Sequence, residues 1–91
     1  MEFEWDPGKA APLNFTRRRI SFSEAASVLE DPLSTTFPDK VHSEVEARFL
    51  TLGASHRGRV LVVAHTERGN RIRIISAWRA TRREREFYEQ G

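Results

Sequence analysis

The chain has 91 residues and a mass of 10.5 kDa, with no cysteine, 31% charged and 38% apolar side chains, and 15 basic groups against 13 acidic ones. That length allows one small domain over residues 1–91 with a thin two-layer core, and the absent cysteines exclude disulfides and cysteine-ligated zinc as its support. The longest apolar run, Val60 to Ala64, is far too short to cross a bilayer, and the acidic start at Met1 to Glu4 is no secretory n-region, so the chain reads as soluble and cytoplasmic.

Phe3-Glu4-Trp5 alternates as a short edge strand does. Asp6-Pro7 then starts a first helix through Lys9, Ala10 and Ala11, which Pro12 makes short, kinked or two pieces. Ser21-Phe22-Ser23-Glu24 has the spacing of a capping box, in which Ser21 and Glu24 each satisfy a free backbone donor of the other. The second helix it opens should bury Phe22, Ala25, Ala26 and Leu29 and stop before Pro32.

From Val45 the hydrophobic period becomes two. Runs over 45–50, 59–66 and 71–78, joined around Gly53 and Gly58 and at Gly69-Asn70, predict three consecutive antiparallel strands. Val60 to Ala64 is apolar at successive positions, as a central strand covered on both faces requires. Arg71 and Arg73 alternate with Ile72 and Ile74, so the last strand turns one face to the core and one row of arginines outward. The same alternation carries Arg79 onto the face of Arg71 and Arg73, and Trp78 onto the face of Ile72 and Ile74. Thr81-Arg82-Arg83-Glu84 repeats the capping-box spacing and opens a terminal helix that ends at Gly91. The expected class is α+β: an antiparallel meander sheet packed with two N-terminal helices and a C-terminal helix.

The net charge of +2 conceals an asymmetry, because residues 1–56 hold six bases and nine acids while residues 57–91 hold nine bases and four acids. Thirteen of the bases are arginine, the side chain suited to planar, bidentate contact with phosphate. Arg79, Arg82 and Arg83 crowd a helix start that already carries partial positive charge, and an anion there would relieve them. The blander alternative is a solvated helix in which Arg82 pairs with Glu86 and Arg85 with Glu89.

His42, His56 and His65 lack ligand-like spacing, and no glycine-rich phosphate loop, nucleophile elbow or cysteine nucleophile is present, so no metal or other cofactor is expected. An arginine-rich face with a few acids and one tyrosine suits RNA cleavage by the adjacent 2′-hydroxyl, with cations stabilising the pentacoordinate phosphate. Arg73, Arg79 and Arg71, joined by Arg48 from a neighbouring strand, would make its basic floor. Glu67, Glu84 and Tyr88 are the candidates for proton transfer, each also readable as an ordinary surface residue.

The order of residues then carries a resemblance. It runs through Phe3-Glu4-Trp5-Asp6-Pro7, Lys9, Asn14, Ile20-Ser21-Phe22, Glu24-Ala25, Asp31-Pro32, Glu46-Ala47-Arg48 and Gly53, and tightens over Gly58 to Val63, Thr66 to Gly69, Arg71 to Ala77, Arg79 to Glu84 and Tyr88-Glu89. This pattern resembles the BrnT family, ribonuclease toxins of bacterial type II toxin–antitoxin pairs, across essentially the whole chain. The resemblance implies a RelE-like fold, metal-independent RNA cleavage that blocks translation and growth, and neutralisation by a BrnA antitoxin with a ribbon-helix-helix DNA-binding domain. It further implies that the pair binds its own operator DNA. Arg48, Glu67, Arg73, Arg79, Glu84 and Tyr88 are the candidate catalytic residues, and Arg17, Arg18, Arg71, Arg82 and Arg83 the candidate RNA-binding ones.

The chain departs from the family pattern in three places. Arg17-Arg18-Arg19 stands where Lys-His-Gly is common, so Arg18 replaces a possible proton carrier with a group that does not titrate near neutrality. Trp78 stands where a basic residue is usual, as extra core or partner-binding surface or as a stacking platform for an RNA base. One extra residue, with Pro12, separates Lys9 from Asn14. These departures keep a second function open: a toxin-like module with weakened cleavage that pairs with the antitoxin in an operator-binding complex. A small basic RNA-binding protein without an antitoxin is the third.

Overall fold

A computed structural model describes residues 2–5, 19–42 and 46–90. Among them, β1 (Glu2–Trp5) precedes α1 (Phe22–Leu29), followed by β2 (Thr35–Pro38), a 3-10 turn (Lys40–His42), β3 (Arg48–Ala54), β4 (Val60–Arg68), β5 (Arg71–Arg79) and α2 (Arg82–Gln90). The strands form one five-stranded sheet in the order β1-β5-β4-β3-β2.

The α+β class holds, but the sheet is mixed and not an antiparallel meander. β3, β4 and β5 are antiparallel neighbours as expected, whereas β1 lies parallel to β5, pairing Phe3 with Ile72 and Trp5 with Ile74. Alternation reveals that a segment is a strand but not which strand it joins or in which direction, and a parallel partner distant in sequence leaves no local mark. Two helices occur among the described residues in place of the three expected, and the first predicted helix, over 7–11, lies outside those residues. β2 went unpredicted because Thr35 to Pro38 carries no alternating apolar pattern. It adds to the free edge of β3, where Pro38 is tolerated, and Thr36 and Thr51 join their hydroxyls at 2.8 Å.

One face of the sheet holds the core. α1 buries Ala25, Ala26 and Val28, which with Ile20 pack against Leu61, Val63, Ile74 and Ala77. Phe3, Trp5, Phe22 and Leu29 complete the layer, with the Trp5 and Phe22 rings edge to face at 5.5 Å. Gly53 permits the close approach of the segment after α1: a Cβ there would lie 2.9 Å from the Ser34 Cβ and 3.1 Å from Asp31 Oδ2.

The capping box at α1 forms by half. Ser21 Oγ accepts the Glu24 N–H at 3.1 Å, but the Glu24 side chain, 1% exposed, turns inward instead of back to Ser21. It accepts hydrogen bonds from Ser55 Oγ at 2.7 Å, from Arg59 Nε at 2.8 Å and from Arg59 Nη2. Burial alone would raise the Glu24 pKa. The Arg59 and Ser55 hydrogen bonds and the charges of Arg59 and Arg57 outweigh it, so the carboxylate is held below its ordinary value.

A bulge in β5 decides where the arginines point. Ser76 pairs with Ala64 and Ile74 with His65, so Ile75 is an extra residue without a partner in the register. One inserted residue inverts the alternation that follows it. Arg71 and Arg73 therefore face away from α1, but Arg79, paired with Leu61, lies on the α1 face. Trp78, paired with Val62, lies on the opposite face and not with Ile72 and Ile74 as strict alternation predicts.

Candidate functional site

The sheet face opposite α1 has two parts. Its lower part is a lattice of charge: Arg48, Thr66, Arg73 and Glu4 stand side by side on four neighbouring strands. Arg73 lies 3.7 Å from Glu4, Arg71 lies 3.5 Å from Glu2, and Arg68 donates to Glu46 at 2.8 Å. The Arg68 hydrogen bond, with the charges of Arg68, Arg73 and Arg48, lowers the Glu46 pKa against a smaller effect of desolvation. Glu46 thus gathers Arg48, Arg68 and Arg73, a role not read from the sequence, although Glu46 shares the alternating face of Arg48. Of the four arginines expected to form the basic floor, Arg48, Arg71 and Arg73 share this face with acids set among them, and Arg79 does not.

The upper part lies under α2. Thr81 and Glu84 complete the second capping box in both directions: Thr81 N donates to Glu84 Oε1 at 2.8 Å, and Glu84 N donates to Thr81 Oγ1 at 3.1 Å. Tyr88 donates its hydroxyl to Asp31 Oδ2 at 2.5 Å. Asp31 also accepts the N–H groups of Ala54 and Leu33. Burial would raise the Asp31 pKa, but these three hydrogen bonds leave it lowered. The Asp31 hydrogen bond, then burial, raises the Tyr88 pKa, so Tyr88 keeps its proton and ties α2 to the loop after α1. Asp31 is the partner that sequence reading missed, because the two residues lie 57 positions apart.

At the junction of β5 and α2, Arg82 pairs with Glu86 at 3.3 Å, as one turn of helix allows. The matching Arg85–Glu89 pair is not formed. Arg79 and Arg83 are exposed and make no side-chain hydrogen bond or ion pair among the described residues. Glu67 pairs in register with Ile72 and so belongs to the α1 face, away from Arg48 and Arg73. Arg17 and Arg18 lie outside the described residues.

Between α2 and the sheet runs a groove of about 330 Å³, lined by Phe37, Leu50, Leu52, Val62 and Phe87 with Arg83 and Glu84 at its rim. Trp78 is the strand neighbour of Val62 beside it. On the other face, His65 is buried and its Nε2 lies 2.7 Å from Thr51 Oγ1. Burial lowers its pKa against the opposing charge of Glu67, so the ring is neutral at pH 7. Among the described residues no three histidine, aspartate or glutamate side chains converge to hold a metal ion. No described helix is long and apolar enough to cross a membrane.

Comparison with known proteins matches residues 5–84 to a family model described as the ribonuclease toxin BrnT of type II toxin–antitoxin systems. No curated protein sequence matches the chain.

Proposed function

The chain belongs to the BrnT family of ribonuclease toxins from type II toxin–antitoxin systems, and from that premise we propose that it is a metal-independent endoribonuclease that blocks translation and growth. A BrnA-type antitoxin with a ribbon-helix-helix domain would silence it and carry the pair to operator DNA. The observation that supports RNA as substrate is the β5–α2 junction, where Arg79 and Arg83 are exposed guanidinium groups beside a helix N-terminus with no anion on them among the described residues. A phosphodiester supplies that anion.

In this reading the 2′-oxygen attacks the adjacent phosphorus as its proton leaves, and the bond to the 5′-oxygen breaks as that oxygen takes a proton from solvent, leaving a 2′,3′-cyclic phosphate and a 5′-hydroxyl. Arg79 stabilises the charge that builds on the phosphoryl oxygens, and Arg82 and Arg83 hold the flanking backbone. Glu84 sits in the same turn of α2 as Arg83 and uses Oε1 for its cap, so Oε2 is available to take the 2′-proton. Tyr88, its hydroxyl donated to Asp31 and its pKa raised by that bond, holds α2 in place and exchanges no proton with the substrate. Arg48, Arg71 and Arg73 lie on the opposite face of the sheet from Arg79, where Glu2, Glu4 and Glu46 moderate their charge, and in this reading they bind RNA backbone away from the reacting phosphate.

Inducing the chain alone in bacteria tests the proposal. Growth should stop and RNA should fragment. Arg79→Ala should lower cleavage by about 10²-fold or more, the effect of removing one charge-stabilising donor. Arg57→Ala should leave it unchanged, since Arg57 lies 3.9 Å from Glu24, whose carboxylate already answers its charge. Unimpaired growth with intact RNA at confirmed soluble expression overturns the nuclease reading. One observation favours the second reading, a weakened module that pairs with the antitoxin: Glu67 is on the far side of the sheet from the arginine lattice, and Tyr88 is committed to Asp31. That reading expects no RNA loss but a stable antitoxin complex on operator DNA.

A further inference from the structure

We propose that Thr66, with Arg48 and Arg73 on either side of it, forms a second phosphate subsite, which grips an internal phosphodiester of the RNA several nucleotides from the reacting one. The partner rests on the reading above; the subsite rests on a hydroxyl that the fold leaves unused. Thr66 is 2% exposed, and its Oγ1 has no hydrogen-bond partner among the described residues. A buried hydroxyl in that state carries a desolvation cost that nothing in the free chain returns. Valine has the same shape and avoids that cost, so the hydroxyl calls for an acceptor from outside the chain.

Its neighbours give the charge of that acceptor. Arg48, Thr66 and Arg73 stand directly in register on β3, β4 and β5, on the sheet face opposite α1. With strands about 4.8 Å apart, the two arginine backbones are roughly 10 Å apart, a gap that their long side chains close over one anion. Two residues along, Arg68 faces Arg71 directly, a like-charge pair that costs stability until an anion answers it. Among the described residues Arg48, Arg68, Arg71 and Arg73 outnumber the carboxylates set among them, Glu2, Glu4 and Glu46. Two of the contacts are loose as well: Arg73 to Glu4 spans 3.7 Å and Arg71 to Glu2 3.5 Å, both longer than a hydrogen bond to a carboxylate. Surplus guanidinium groups around one unspent hydroxyl fit a phosphodiester, whose two unesterified oxygens accept from both kinds of donor.

The register also sets a length. Arg73 pairs with Thr66 and Arg79 with Leu61, and these partners lie five positions apart on β4, about 17 Å at the rise of a strand. Arg79 ends β5, so an RNA strand leaving it turns over the end of the sheet and runs down the face that carries Trp78 and Ser76 to Thr66. At the roughly 3.4 Å per nucleotide of a stacked strand that path takes about five nucleotides, and fewer when the strand is drawn out. A long substrate therefore engages both sites, and a very short one cut at Arg79 engages only the first.

The test uses the full chain and single-stranded RNA of about twelve nucleotides without terminal phosphates, 2′-O-methylated for binding and unmodified for cleavage, with an unmodified trinucleotide beside it. Thr66→Val should weaken binding of the uncleavable strand about tenfold or more, as loss of a hydrogen bond to a charged acceptor does. The ratio of kcat/KM on the long strand to that on the trinucleotide should fall by the same factor. The melting temperature of Thr66→Val should not fall, because the hydroxyl has no bond to lose in the free chain. Arg48→Gln should lower the slope of log affinity against log salt by about one. Unchanged affinity in Thr66→Val overturns the subsite. So does a lower melting temperature, which gives the hydroxyl a role in the fold, or an equal loss of kcat/KM on both substrates, which puts Thr66 at the reacting phosphate. Weakened binding in Thr66→Val, with no cleavage of either substrate by the parent chain, would sink the nuclease reading and leave the subsite standing.

Discussion

α1 and α2 are nearly equal in length, eight and nine residues, and each opens on a hydroxyl cap followed three positions later by glutamate. At α1 the glutamate leaves the cap and enters the core, where Arg59 and Ser55 hold it, and the helix buries Ala25, Ala26 and Val28. At α2 the glutamate stays at the cap and the helix has no fully buried residue. The first helix is bound to the sheet by area and a buried ion pair; the second is held by a cap, one hydrogen bond and one aromatic contact. The comparison separates two uses of a helix, one to close a core and the other to present arginines over an open groove. The arginines divide in the same way, since those of the lower lattice meet Glu2, Glu4 and Glu46 while Arg79 and Arg83 are left for an external anion.

Breaking the α1 side should cost most. Glu24→Ala leaves Arg59 partly buried without its carboxylate and should destabilise the fold by about 3 kcal/mol, seen as a lower urea midpoint. Tyr88→Phe removes one hydrogen bond to a carboxylate and should cost about 1.5 kcal/mol. Its effect should be local: faster amide exchange over 82–90 with little change in α1 separates a loosened helix from a weakened core. Thr81→Ala removes the cap from α2 and should cost about 1 kcal/mol, again confined to that helix. An equal rise in exchange across α1 in either variant would contradict the separation drawn here.

The smallest expected effect is a pH dependence on the core side. Burial depresses the His65 pKa below its ordinary 6.5, so the unfolded chain takes up a proton more readily than the folded one as the pH falls. The stability contributed by neutral His65 is full above about pH 6.5 and declines as the pH drops toward its folded value. Thermal unfolding between pH 7.5 and 5.5 should show this slope, and His65→Gln should flatten it. Glu24 and Asp31, both lowered, add a loss at more acidic pH, as the medium falls through their folded values.

Much of the fold was legible because it is written locally. The capping boxes placed the starts of both described helices, Gly69-Asn70 placed the β4–β5 turn, and the unbroken apolar run of Val60 to Ala64 marked a central strand. The parallel seat of β1 and the addition of β2 were not legible, because pairing with a distant or an edge strand leaves no period in the segment itself. The arginine residues of the site were all visible as residues, but their faces were not. Strict alternation put Arg79 beside Arg71 and Arg73 and put Trp78 with the isoleucines, and the extra residue at Ile75 reverses both.

By itself the sequence determined the class, the strand-rich centre, the helix starts, the arginine-heavy second half and the family. Those depend on composition, period and residue order, each of which is local or additive along the chain. Tertiary structure decided the direction of β1, the face on which each arginine stands, the recruitment of Glu24 by Arg59 and of Tyr88 by Asp31, and the open groove under α2. Each of these depends on residues brought together across dozens of positions, or on a single bulge that shifts every side chain beyond it.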